Sequence, residues 1–145
     1  MDFMTAMDIS ASGLSAERTN MNIISMNLAN VQTTRTPEGG PYQRRRVVFR
    51  AAPVEMPFEK AVQSALDRDV KGVKVARVEK DGRPFKQVHE PDHPDADQDG
   101  YVLYPDINVM EEMANMLTAT RAYEANLSSI STIKTMLSQA LQIGR

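Results

Sequence analysis

The sequence predicts a mainly α chain in which long N- and C-terminal helices, paired as an antiparallel coiled coil, enclose a small β-rich insertion. Three observations predict it. Residues 37–105 hold all 8 prolines and 5 of the 7 glycines. The same stretch carries 24 of the 36 charged side chains. The two ends hold 9 of the 10 methionines, and apolar residues recur there at spacings of three and four. Segments without Pro and nearly without Gly suit long helices. The chain therefore divides into an N-terminal helix (1–36), a middle module (37–105) and a C-terminal helix (106–145).

In the first segment, Met7, Leu14, Met21 and Leu28 occupy one heptad position. Phe3, Ser10, Glu17, Ile24 and Val31 occupy the other, with Ser10 and Glu17 as faults in the seam. The spacing predicts a helix from Phe3 to Asn30, about 40 Å long at the usual rise. The run Thr33-Thr34-Arg35-Thr36-Pro37 ends it, because β-branched residues and proline disfavour continuation. Gly13, in Ser12-Gly13-Leu14, lies on the seam, where it would let another helix approach.

In the last segment, Asn108 is a good N-cap, and Glu111 completes a capping-box pattern. Met113, Met116, Thr120, Tyr123, Leu127, Ile130, Leu137 and Leu141 then repeat at helical spacing up to Gly144. About 35 residues make a helix of about 50 Å, long for a globular protein. A second apolar line runs through Met110, Leu117, Ile133, Met136 and Ala140.

The backs of both helices are unusually neutral. Between Ile9 and Thr34 only Glu17 and Arg18 are charged; after Met113 only Arg121, Glu124, Lys134 and Arg145 are. A solvated face is normally rich in Lys, Glu and Arg. Here it is Ala, Ser, Thr, Asn and Gln, which admit a neighbouring helix at low desolvation cost. The pattern predicts helices covered on several sides by neighbouring subunits. The alternative is a two-helix hairpin packed on its own middle module, with an incidentally uncharged outer face.

In the middle, Tyr42–Ala52 reads as a strand and Phe58–Asp67 as a short helix. Val73–Glu79, the Asp81-Gly82 turn and Phe85–His89 read as a hairpin, and Tyr101–Tyr104 as a last strand.

Several chemistries are excluded or weak. With no cysteine, disulfides, thiolate metal sites and Cys nucleophiles are impossible. No apolar run is long enough to span a bilayer. The N-terminus, Met1-Asp2-Phe3-Met4, predicts no cleaved secretory signal. The net charge of −2 argues against a dedicated nucleic-acid binder. Asp95, Asp97, Asp99 and Gly100 match the first half of a calcium loop, with Asp106 at its last position. Against it, Asp106 is one methylene shorter than the usual Glu, Pro105 precedes it, and Pro91 and Pro94 forbid an incoming helix. A solvated acidic turn is the simpler reading. His89 and His93, separated by Pro91, cannot share a helix face, so a metal site with Asp92 is a remote option. Arg44, Arg45 and Arg46 form a basic cluster that could meet solvent or the acidic loop of a neighbour as a lateral contact. No nucleophile elbow, phosphate-binding glycine loop or helical His-Glu pair occurs. Two rivals to a polymer subunit remain on the residues alone: a stand-alone binding module gripping a partner helix, and a metal-dependent enzyme built on His89, His93 and the aspartates.

The segments Ala11-Ser12-Gly13-Leu14-Ser15-Ala16 and Met21-Asn22-Ile23-Ile24-Ser25-Met26-Asn27-Leu28-Ala29-Asn30-Val31 resemble the N-terminal signature of the flagellar axial (rod and hook) family. Thr120-Arg121-Ala122-Tyr123-Glu124-Ala125-Asn126 resembles that family's C-terminal motif. Residues 33–42, His93-Pro94-Asp95-Ala96-Asp97, Gly100-Tyr101-Val102 and residues 104–113 are similar to its proximal-rod branch, which the short length also suits. Residues 53–88 carry no such likeness. The resemblance implies a non-enzymatic subunit of the bacterial flagellar basal body, needing no cofactor. Such subunits stack helically into a torque-transmitting drive shaft in the periplasm. Implied partners are copies of itself, other rod proteins, the rod base near the membrane ring and the flagellar type III export apparatus, with no nucleic acid and no small-molecule substrate.

Overall fold

A computed structural model describes residues 3–53 and 71–143 of the 145. Two helices and four strands follow in the order α1 (Phe3–Ala29), β1 (Arg45–Pro53), β2 (Lys71–Lys80), β3 (Lys86–His89), β4 (Tyr101–Tyr104) and α2 (Val109–Ile143). The short helix expected at Phe58–Asp67 and the stop at Gly144 lie outside the described residues.

α1 ends one residue before the expected Asn30. The chain then turns through a tight loop in which the Thr36 N–H reaches the Gly40 carbonyl at 2.8 Å. Gly39 and Gly40 take φ of 90° and 72° there, a backbone that side chains resist. α2 begins as its cap predicts, with Asn108 Oδ1 accepting from the N–H groups of Met110 (3.0 Å) and Glu111 (3.4 Å). The capping box is only half made, because the Glu111 side chain is drawn to Arg83 (3.2 and 3.3 Å).

The strands form two separate antiparallel pairs, β1 with β2 and β3 with β4. This corrects the expected pairing of Val73–Glu79 with Phe85–His89. The Asp81-Gly82 segment does not fold β2 onto β3. Its Asp81 N–H closes on the Arg44 carbonyl (2.7 Å) and its carboxylate takes Arg44 Nη1 (3.1 Å), which pins the end of β2 to the start of β1. The register of β1 and β2 shifts between Val48 and Phe49, where Ala76 is the extra residue on β2.

The two helices touch along their length. Asn27 meets Glu112, Met21 Sδ meets Thr120 Oγ1 at 3.7 Å, and Gly13 lies against Asn126, so the contacts descend α1 as they ascend α2. A Cβ on Gly13 would come within 3.0 Å of the Asn126 amide, so glycine is what allows this approach. The β1–β2 hairpin lies along α1: Asn27 binds the backbone of Arg45 at one end, and the Val73 N–H donates to Ser12 Oγ (3.1 Å) at the other. Part of the outer face of α1 is thus covered by the chain's own middle module.

Candidate assembly interface and the buried cluster behind it

The seam residues fall into two sets. Ile24 is buried, and Met7, Leu14, Met21, Leu28, Val31, Met116, Thr120, Tyr123, Ile130 and Leu137 are half-buried. Met113, Leu127 and Leu141 instead face outward, with over half of each side chain exposed. The line that α2 turns inward runs through Glu112, Met116, Ala119, Tyr123 and Asn126: Met116 and Tyr123 lie on the expected heptad, while Glu112 and Asn126 turn inward in place of Met113 and Leu127, and Ala119 lies deeper than Thr120.

The consequence is an exposed apolar stripe. Met110 is 74% exposed, and Met113 and Leu117 follow at helical spacing on the same side. The contact pairs place Phe3 of α1 opposite the Met136 turn, so the last turns of α2 project beyond α1. Leu141 and Ile143 stand on that projection, 68% and 87% exposed. So much exposed apolar surface on one element makes this a candidate interaction face.

Behind this stripe sits a polar cluster that periodicity does not reveal. Asn27 and Glu112 are each 1% exposed. Asn27 Nδ2 donates to Glu112 Oε2 (2.9 Å) and to the Arg45 carbonyl (2.8 Å). Asn27 Oδ1 accepts from the Tyr42 hydroxyl (3.0 Å) and the Arg45 N–H (2.9 Å). All four hydrogen-bonding positions of the amide are filled. Glu112 Oε1 accepts from Arg44 Nη2 (2.6 Å) and Nε (3.0 Å). Burial works against the Arg44 charge, but the hydrogen bonds to Glu112 and Asp81 outweigh it, so its pKa rises above the ordinary value. Burial also raises the Tyr42 phenol.

Arg44 is therefore an internal residue, its side chain 13% exposed. The guanidinium of Arg45 lies 5.8 Å from the Tyr42 ring, and its buried Nε has no hydrogen-bond partner among the described residues. Arg46 is the outward member, 62% exposed and joined to Glu79 at 3.1 Å. Sequence reasoning missed the roles of Asn27 and Glu112. The one available signal was a carboxylate followed by neutral residues on an otherwise apolar line, and a first-turn Glu has a simpler explanation as a cap.

The acidic loop is engaged elsewhere. Asp95 accepts from Thr34 Oγ1 (2.8 Å) and faces Arg35 (3.8 Å). Asp97 Oδ1 accepts from the N–H groups of Asp99 (3.0 Å) and Tyr101 (2.8 Å), closing a turn around Gly100 with φ of 79°. Asp106 pairs with Lys86 (3.1 Å). These contacts point the carboxylates apart, and no group of three potential metal ligands converges among the described residues. His89 packs on the Tyr101 ring edge (5.1 Å) and His93 on Tyr104 (6.3 Å).

Comparison with known proteins agrees with the two-ended organisation. The family described as "Flagella basal body rod protein" matches residues 7–35, and "Flagellar basal body rod FlgEFG protein C-terminal" matches residues 98–143. The chain is 43% identical to the flagellar basal-body rod protein FlgC of Borreliella burgdorferi, over 99% of this chain and 98% of that one. It is 36% identical to FlgC of Salmonella typhimurium over the whole of both chains, and 35% identical to FlgC of Bacillus subtilis over 97% of each. With likeness of this degree from end to end, the chain belongs to the FlgC family of flagellar basal-body rod proteins, structural subunits without a catalytic role.

Proposed function

We propose that this chain is a subunit of the proximal rod, in which α1 and α2 pair as an antiparallel coiled coil and pack beside those of neighbouring copies and other rod proteins. One observation carries the reading: the stripe Met110, Met113 and Leu117 and the projecting Leu141 and Ile143 are apolar and exposed. Such a surface is covered in the working particle or it aggregates. The middle module lies outside the helix pair and offers the exposed Arg46, paired with Glu79, for lateral contacts. Torque passes through the packed helices; no reaction is involved.

The same surface supports coupled folding and assembly. Long helices with little burial are marginal alone. A chain that gains its helices from its neighbours can pass unfolded through a type III export channel and order itself at the rod base in the periplasm. Two experiments test this. Replacing Met110, Met113 and Leu117 by glutamate is expected to abolish recovery of the chain in isolated basal bodies; normal recovery overturns the interface. Circular dichroism of the purified monomer is expected to show far less helix than the structure, and a fully helical, protease-resistant monomer contradicts coupled folding.

A further inference from the structure

We infer that the Asn27–Glu112 cluster is a register lock, fixing the lengthwise alignment of α2 on α1 and, through the same atoms, the seat of the β1–β2 hairpin. The inference rests on the helix pairing proposed above. Along the seam itself only Gly13, whose missing side chain admits Asn126, favours one alignment. The other contacts involve Met21, Thr120 and buried alanines, small or adaptable groups that repack after a shift of one heptad. Asn20 stands seven residues before Asn27 and would offer a sliding Glu112 the same amide.

Arg44 cannot follow that slide. Asn27 clasps both the N–H and the carbonyl of Arg45, so Arg44 is tied to α1 rather than to α2. A seven-residue slip carries Glu112 about 10 Å away from the guanidinium. It leaves a carboxylate and a guanidinium unpaired where both are now sheltered from water, the arrangement that buried ion pairs penalise most. One buried polar residue is enough to set register in coiled coils. An apolar pair at the same two positions would still hold the helices together, less the Asn27–Glu112 hydrogen bond, but in more than one alignment. The cluster contributes uniqueness rather than strength. That matters here because a slip would displace the exposed stripe by about 10 Å relative to α1, and neighbours could no longer meet both.

The absence of cysteine lets engineered disulfides read the alignment in basal bodies isolated from cells carrying the full-length chain. M21C with T120C reports the observed register, since those side chains touch. M21C with M113C, or with L127C, reports a slip of one heptad in either direction. In the otherwise native chain, only the first pair is expected to close as an intrachain product identified by mass. In an R44M/E112L background the slipped pairs are expected to close at least about tenfold more than in the native background. Closure of the observed-register pair alone in that background overturns the lock. Should this double variant fail to enter basal bodies, R44Q/E112Q decides by the same readout, because it removes both charges while keeping a polar side chain at each position. Failure of both variants to enter also overturns the inference, since strength and not alignment would then depend on the charges. If M21C/T120C does not close even in the native background, the helix pairing fails, not the lock.

Discussion

The two ends of the helix pair are built from the same kind of sequence and meet opposite fates. Where α1 closes and α2 opens, the facing residues Ile24, Asn27, Glu112 and Ala119 are at most 5% exposed, although Met110, Met113 and Leu117 stay open on the other side of α2. Where α1 opens and α2 closes, Phe3, Met4, Met136, Leu141 and Ile143 are 42% to 87% exposed. Both ends are rich in apolar residues, and the Glu111 and Glu112 that open α2 are by themselves no sign of cover, so composition does not separate them. The middle module does. Tyr42, Arg44 and the start of β1 close over the first end, and the corresponding side of the second is left open. A helix pattern states how much surface wants cover; the topology of the insertion decides how much of that cover the chain supplies to itself.

The comparison is broken most severely at the closed end. Glu112→Leu alone strands the Arg44 guanidinium and is expected to destabilise the fold by about 3–5 kcal/mol. The chain would then be lost from isolated basal bodies, and adding Arg44→Met is expected to restore it. Unchanged recovery of the single variant would show that the ion pair is dispensable.

Midway along the pair, Gly13→Leu drives a side chain into the Asn126 amide, which already donates to the Ala122 carbonyl at 2.9 Å. The expected cost is on the order of 1–3 kcal/mol, read as a lower urea concentration for release of the chain from basal bodies.

A smaller effect is set by pH at the rim of the cluster. Hydrogen bonding to Arg83, and then its charge, holds the Glu111 carboxyl below its ordinary 4.5. A depressed carboxylate stabilises the fold above its unfolded value and ceases to do so as pH falls through the folded one. Arg83→Gln is therefore expected to lower stability at neutral pH and to flatten its dependence on pH below 4.5. Because the pair is exposed, the difference shrinks in high salt. An unchanged acid profile would show that the contact contributes nothing.

At the open end, Leu141→Glu touches little within its own chain. It is expected to change intrachain stability by no more than about 0.5 kcal/mol, yet to prevent incorporation into basal bodies. Comparing its hydrogen-exchange protection at Ile24 and Asn27 with that of the native chain separates these effects. Lost protection at the closed end would mean the two ends are coupled.

The order helix, strands, helix was legible from where proline, glycine and charge fall, and α1 and the cap of α2 lie within a residue or two of where pattern puts them. Asn108 was readable because a cap satisfies backbone groups two and three residues away. The strand partners were not. A turn signal at Asp81-Gly82 favours a hairpin locally, but the Arg44 carbonyl and guanidinium capture Asp81 from 37 residues upstream. One of the two seam positions of α2 was misplaced by a residue for a similar reason. Glu112 counts as polar in any periodicity, and only Arg44 and Asn27, 68 and 85 residues earlier, make it an inward group.

Sequence by itself determined two long, neutral helices around a charged insertion, because local spacing and backbone preference act over a few residues. Tertiary structure alone decided which strands pair, which end of the helices is closed and where Glu112 finds the partners that let it be buried. Those outcomes depend on desolvated groups finding partners far along the chain, and such partners leave no mark in local pattern.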